Sequence, residues 1–565
     1  MRKRVAIIGS GPTAIFALQD LVTCSTALEI AIFERTDVAG KGTPYQRGIN
    51  DIAMLSNIPS IEVPALPVTL HEWVGAQPDD YLNEIGVERD SISDRAFYPR
   101  VVVGDYFRSQ FDAIIEASQA SRHSIGVFEN AHVEDVQPVG DQFKLCVSPE
   151  HGGAEVLFDY VVIATGHSFP SEPETAPGFF EAPWPATALQ RIPSGKVGIL
   201  GTSLSAIDAV MTVATKFGEF TKEKRGSLEY SVGAEGEALE IVMMSRKGLL
   251  PEADFYFPIP YLEPKICTQQ AVDERIALGS SGLLDDIFEL FRQELSVADP
   301  AYATAIELDG LTVDTFAAAY YGVRDTADPF EWAASNLAEA KLNYAEKRTV
   351  AWRYAILITH EIIETAVGSM NADDLVRFNR NFKSIFADDY ATVPHLSIER
   401  LLALHRSGHL GILALGDDSE IVKDDVERGA RVEIDGGSLN FDTFIDATGQ
   451  KTLSATDLPF PTLIEQGLIS EGTTVTAVGN HRRTGGIDVD DQCRPLIAGV
   501  RPVRRLYVPA VSYLLHKRPF IQGITSAAEL GQIVAASIIA EVTRPVRSRR
   551  VRSSARVQTP AEIAA

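Results

Sequence analysis

Apolar and polar positions in the first 35 residues follow a fixed order. Val5-Ala-Ile-Ile8 is a short, uniformly apolar run, as expected for a strand buried on both faces. Gly9-Ser10-Gly11-Pro12-Thr13-Ala14 follows, then apolar positions Ile15, Leu18 and Leu21 at helical spacing, then Ile30-Ala-Ile-Phe33 ending in Glu34 and Arg35. The pattern predicts strand, glycine turn, helix and a second strand closed by an acid. The same order returns at Lys196-Val-Gly-Ile-Leu200, Gly201-Thr202-Ser203-Leu-Ser205-Ala206, the helical positions Ile207, Val210 and Val213, and Ile241-Val-Met-Met244.

Between about 265 and 400 the period becomes helical, as in Leu283-Leu-Asp-Asp-Ile-Phe-Glu-Leu-Phe291. Strand patterns resume at Val432-Glu-Ile434 and Thr443-Phe-Ile445, and a last helix is expected from Gln522 to Ile539. The expected fold is α/β, with two Rossmann-like dinucleotide-binding domains and a mostly helical insertion. The expected segments are 1–190 and 451–543 for the first domain, 191–264 and 405–450 for the second, 265–404 for the insertion and 544–565 for a basic disordered tail.

Each unit has a stated chemistry. Gly9 permits the tight turn, Gly11 lets the backbone approach a pyrophosphate, and Ala14 lets the helix pack close to the sheet. The helix N-terminus offers N–H groups and the positive dipole end to phosphates. Glu34 suits ribose hydroxyls, which assigns FAD to the first unit. In the second, Ser203 stands where the middle glycine is usual, and Ser245-Arg246-Lys247 stands where the first unit has Glu34-Arg35. Cations and a hydroxyl suit a 2′-phosphate, which assigns NADPH to the second unit; a solvated basic turn is the plain alternative. Asp159-Tyr-Val-Val-Ile-Ala-Thr165-Gly166-His167 and Asp442-Thr-Phe-Ile-Asp-Ala-Thr448-Gly449-Gln450 match each other. Each ends a buried strand in small residues that a bound dinucleotide can approach.

Composition narrows the field. At 565 residues the chain needs more than one core. A net charge of −26 opposes nucleic acid and anionic membranes over most of the surface. The arginines from Arg544 onward are the exception, reading as a solvated tail or a docking segment. Cys24, Cys146, Cys267 and Cys493 form no C-x-x-C, which argues against a disulfide framework, a thiolate metal site and a redox-active cysteine pair. No uninterrupted apolar run reaches 18 residues, so a cytoplasmic protein is expected.

Met54-Leu-Ser-Asn57-Ile-Pro59, Pro99-Arg100-Val-Val-Val-Gly104-Asp-Tyr106 and Ser245-Arg246-Lys247-Gly248-Leu-Leu-Pro251 resemble segments of the bacterial FAD-NAD(P)-binding family. Pro519-Phe-Ile-Gln522 is similar to its closing segment beside the flavin. Two departures stand out: Phe386-Ala-Asp388-Asp389-Tyr390 is acidic where relatives are often basic, and Pro509-Ala510 stands where glycine is more usual. The family is related to class B flavin N-monooxygenases, some acting on amino acids such as aspartate.

The resemblance implies an FAD-dependent, NADPH-consuming monooxygenase. It would N-hydroxylate a small amine or amino acid with molecular oxygen, through a C4a-hydroperoxyflavin. The rivals are a reductase passing electrons to a quinone or protein acceptor, and a non-catalytic flavin-binding protein. Asn57 reads as a polar group at the flavin or as a turn asparagine, and His167 as a cofactor neighbour or a surface histidine. Arg482 and Arg483 read as a carboxylate clamp or a solvated loop. No metal site is expected, and a homo-oligomer is left open.

Overall fold

The computed structural model describes residues 2–148, 155–166, 172–222, 226–449, 452–476, 479–521 and 523–544. Lys3–Ile8, Leu28–Phe33, Ser124–Phe128, Tyr160–Ile163 and Leu506–Tyr507 form a five-stranded parallel sheet. Lys3–Ile8 is central, with Ile7 opposite Ile32 on one side and Val162 on the other. Both faces are covered, so its strands are continuous apolar runs and Val5, Ala6 and Ile7 are fully buried.

Helix Pro12–Leu21 packs beneath helix Ile524–Thr543, and Gly531 marks their crossing. A Cβ there would stand 2.6 Å from the Thr13 carbonyl oxygen and 2.8 Å from the Ala17 nitrogen. Helix Ile524–Thr543 is long and apolar enough to cross a membrane by length and mean hydropathy, although the sequence holds no uninterrupted apolar run of 18 residues. In the fold its Ile524, Ala528, Leu530, Val534 and Ile538 are part of the first domain's core.

The second sheet runs Leu410–Ala414, Glu240–Ser245, Lys196–Leu200, Thr443–Asp446, Phe179–Phe180 and Glu174–Ala176. It is parallel except for the last pair. Two boundaries therefore differ from the sequence expectation. Glu174–Ala176 and Phe179–Phe180 join the second sheet upstream of residue 191. Helix His395–Arg406 shares a core with Val197, Val210 and Ile241 through Ile398, Leu401 and Leu404, so it packs with the second domain and not with the insertion. Its apolar face gives no hint in sequence of which domain it covers.

The insertion has its own aromatic core, in which Phe288, Phe291, Phe316, Phe382 and Phe386 meet mostly edge to face. Phe520 of the first domain penetrates that core. A π-helical turn, Phe378–Phe382, interrupts the insertion's helices just before Lys383. The parts of the chain built on the two sheets are joined by an ion pair from Arg100 to Asp208.

Candidate active site

The first glycine turn opens onto a long cleft. Gly9 has φ +96°, its N–H donates to the Phe33 carbonyl at 2.8 Å, and a Cβ would stand 2.3 Å from the Ala164 carbonyl oxygen. Only glycine fits there. Gly11 caps helix Pro12–Leu21, and its missing Cβ would lie 3.3 Å from the Gly42 Cα. Ser10 Oγ donates to Glu34 Oε2 at 2.6 Å, while Thr36 Oγ1 and N–H donate to Glu34 Oε1 at 2.9 Å. The carboxylate is thus fixed at the end of its strand, facing the cleft.

Gly9, Ser10, Gly11, Pro12, Thr13, Glu34, Arg35, Thr165 and Gly166 all line this one cleft. Ala14 is buried behind it, where the helix meets the sheet. Residues not singled out from sequence complete it: Gly42 to Tyr45 on one side, then Leu453, Asp457 and Val511, and Gly523 at the start of the last long helix; Pro509, one of the two departures, lines it as well. The Gly40-Lys41-Gly42 spacing was a readable signal for the first group. The others come from the far end of the chain and carry none.

A dinucleotide fits these surroundings. The helices beginning at Pro12 and Ile524 both open onto the cleft with glycine N-caps that no side chain satisfies. Their free N–H groups suit a diphosphate, and Glu34 suits ribose hydroxyls.

The Pro99-Arg100…Gly104-Asp105-Tyr106 segment holds the Gly42–Tyr45 loop. A Cβ on Gly104 would stand 2.2 Å from the Tyr45 carbonyl oxygen. Asp105 accepts from Lys41 at 2.6 Å, Tyr81 at 2.9 Å and Arg47 at 3.1 Å, and these partners hold its carboxyl below the usual range despite burial. Tyr106 donates to the Val68 carbonyl at 2.8 Å.

In the second unit Gly201 has φ +121°, and a Cβ would stand 2.6 Å from the Ala447 carbonyl oxygen. Thr202, Ser203 and Ser205 surround the uncapped start of helix Leu204–Phe217. Thr448 donates through N–H and Oγ1 to Asp446 Oδ1, which turns the chain before Gly449.

The Ser245-Arg246-Lys247 triplet divides by role. Ser245 Oγ accepts from Thr202 Oγ1 at 3.3 Å and from the Gly248 N–H at 3.1 Å, so it shapes the turn. Lys247 binds Asp325 of the insertion at 2.6 Å and lies over the Tyr321 ring. Arg246 is exposed, its nearest carboxylate oxygen being that of Asp417 at 3.9 Å. It is the cation of the three left for a ligand.

The other candidates are scattered. Asn57 is not among the residues lining the cleft, and its Oδ1 is buried without a hydrogen-bond partner. Arg482 and Arg483 sit exposed on a hairpin, with Arg483 3.3 Å from Glu471. His167 and Gln522 lie outside the described residues, as does the chain beyond Arg544. The acidic departure is explained by burial: Asp388 pairs with Arg324 at 2.5 Å, beside the buried Glu252–Arg353 pair.

Residues 6–168 match the FAD-NAD(P)-binding family. With the glycine cradle and Glu34, that match defines a protein that binds FAD and a nicotinamide dinucleotide. Residues 268–390 match the YdhS-like middle domain, and the chain is 39% identical over 545 residues to YdhS of Escherichia coli (strain K12), covering 96% of this chain and 99% of that one. The chain belongs to the YdhS family.

Among solved structures it is similar to the ornithine N-hydroxylase KtzI of Kutzneria sp. 744 (TM-score 0.49, 13% identity, 96% and 100% of the two chains). It is also similar to the ornithine hydroxylase PvdA of Pseudomonas aeruginosa (0.46, 13%, 96% and 100%) and to the bacillithiol disulfide reductase of Staphylococcus aureus (0.42, 12%, 96% and 99%).

Proposed function

We propose that the protein is an NADPH-dependent flavin monooxygenase that N-hydroxylates a small amine or amino acid. Bound FAD would supply hydride acceptance and the activation of dioxygen; the chain has to exclude water and hold the substrate. The observation that carries this reading is how the insertion is anchored beside the cleft. Phe520, three residues before the cleft residue Gly523, is enclosed by Phe378, Phe386, Tyr390 and His360 of the insertion, with ring centroids 5.2 to 6.0 Å away. Burial lowers the His360 pKa and so favours the neutral ring. This aromatic packing seats the insertion next to the cleft, and we take its part in the reaction to be the exclusion of water.

A disulfide-reductase reading lacks its nucleophiles. All four cysteines are free and none lines the cleft, while burial pushes the Cys267 and Cys493 thiols up to about 12. The NADPH preference rests on Arg246.

Labelled dioxygen is the test: the FAD-loaded enzyme is supplied with NADPH and a panel of amino acids and diamines. One labelled oxygen atom on a substrate nitrogen is expected. Hydrogen peroxide as the sole oxygen product with every candidate would replace this reading with electron transfer to another acceptor.

A further inference from the structure

A second cavity, of 240 Å³, lies where the insertion meets the C-terminal part of the first domain. Asn379 and Lys383 line it from the insertion, and Ser454, Thr484 and His516 from the first domain. It is next to the flavin cleft: Leu453 lines the cleft while its neighbours Thr452 and Ser454 line the cavity. Tyr513 lines the cleft and His516, one turn on, lines the cavity.

The cations here are unequal. Lys517 is bound to Asp488 at 2.7 Å, and Arg518 to Glu364 at 2.9 Å and Glu529 at 2.8 Å. Lys383 has no ion-pair or hydrogen-bond partner among the described residues; burial alone acts on it, lowering its pKa. A half-buried ammonium without a partner is costly unless something else neutralises it. It also follows directly on the π-helical turn Phe378–Phe382, which also carries Asn379, and such turns recur at functional sites.

Two buried polar atoms of residues at the wall, Thr484 Oγ1 and His516 Nε2, lack partners among the described residues. His516 Nδ1 lies 3.2 Å from the Tyr513 carbonyl oxygen, which only accepts, so Nδ1 carries the hydrogen. With its pKa lowered to about 4 by burial and by Lys517, the ring is neutral at physiological pH. Nε2 then offers a lone pair to a donor such as the Thr484 hydroxyl behind the cavity wall.

We propose that this cavity is a subsite for the carboxylate of an amino-acid ligand, received by the Lys383 ammonium. Taking that ligand to be the oxygenase's substrate rests on the N-hydroxylation reading. The carboxylate site itself does not.

The test is a calorimetric titration of the FAD-loaded enzyme, without NADPH, with a panel of L-amino acids, the amines lacking their carboxylates, and inorganic phosphate. At least one amino acid should bind, its affinity falling by about 10- to 100-fold in Lys383→Met and by only a few-fold in Lys383→Arg. The decarboxylated amine should bind both variants and the parent alike. The proposal is overturned if no amino acid binds, if Lys383→Met leaves the affinity unchanged, or if phosphate binds more tightly than every carboxylate.

Flavin content and Tm are recorded for each variant. If Lys383→Met alters either, Lys383→Gln carries the test: weaker amino-acid binding with full flavin supports the subsite, and unchanged binding overturns it. An amino acid that binds through Lys383 yet gains no labelled oxygen would sink the N-hydroxylation reading alone.

Discussion

Arg100 Nη2 lies 2.7 Å from Asp208 Oδ2, joining helix Arg100–Gln119 to helix Leu204–Phe217 behind the second glycine turn. Asp208 is fully enclosed, and burial pushes its pKa to about 6 against the pull of Arg100. Asp208→Ala strands the Arg100 charge and should destabilise the protein by about 3–5 kcal/mol. Replacing both residues with apolar ones, Arg100→Met with Asp208→Leu, should cost much less. Denaturant titration of the two single variants and the double variant checks this; additive losses would mean that the two side chains do not act as a pair.

Gly531→Val should separate helix Ile524–Thr543 from helix Pro12–Leu21, because the new side chain meets backbone within 3 Å. Overpacking of this kind costs roughly 1–3 kcal/mol. Since the separated helix begins at the cleft residue Gly523, flavin occupancy should fall along with Tm. A variant with normal visible absorbance and normal Tm would show that the helices give way at no cost.

Gly11→Val places a branched side chain between Gly42 and the diphosphate path. The purified variant should lose its yellow colour while far-ultraviolet circular dichroism shows the fold retained. Full flavin content would remove FAD from the first unit.

Arg246 and Lys247 should separate in their effects. Loss of a charge-assisted hydrogen bond worth roughly 1.5–3 kcal/mol predicts that Arg246→Ala weakens NADPH use by about 10- to 100-fold and spares NADH. Lys247→Ala breaks the contact with Asp325 and Tyr321 and should lower kcat/KM for both cofactors together. Equal losses with both cofactors in Arg246→Ala would assign that arginine to the fold.

Asp254 makes stability depend on pH. It is buried, accepts from Tyr344, and has its pKa pushed to about 7 by burial. In the unfolded chain it ionises near 3.8, so its contribution is fully present below about pH 4 and is lost as pH rises through about 7. Glu62, also raised to about 7 and partly by Asp254, acts in the same direction. Each tenfold change in proton affinity is worth about 1.4 kcal/mol. Asp254→Asn should flatten the fall in urea midpoint between pH 4.5 and 7.5, and an unaltered pH slope would show that the group stays ionised.

Both strand–glycine turn–helix units were legible in the sequence because a parallel strand buried on two faces has to be a short apolar run, and the turns at Gly9 and Gly201, with positive φ and backbone against the missing Cβ, have to be glycine. The cleft residues Leu453, Val511 and Gly523 were not legible, since no local period relates them to Gly9. The triplet at 245 was read as one basic feature. Its division depended on Asp325, a residue of the insertion whose spatial position sequence spacing does not encode. Asn57 came from resemblance and stands apart from the cleft lining; Lys383 could not be singled out from sequence, because its significance lies in the absence of a partner.

The five-stranded sheet takes its edge strand, Leu506–Tyr507, from the end of a chain whose first strand is its centre. During synthesis the glycine turn leaves the ribosome long before Gly523 exists, and the whole nicotinamide domain and insertion emerge in between. The nascent first domain therefore waits with an open sheet edge beside Tyr160–Ile163. The cleft that Gly9 begins and Gly523 closes is therefore complete only once nearly the whole chain has been made.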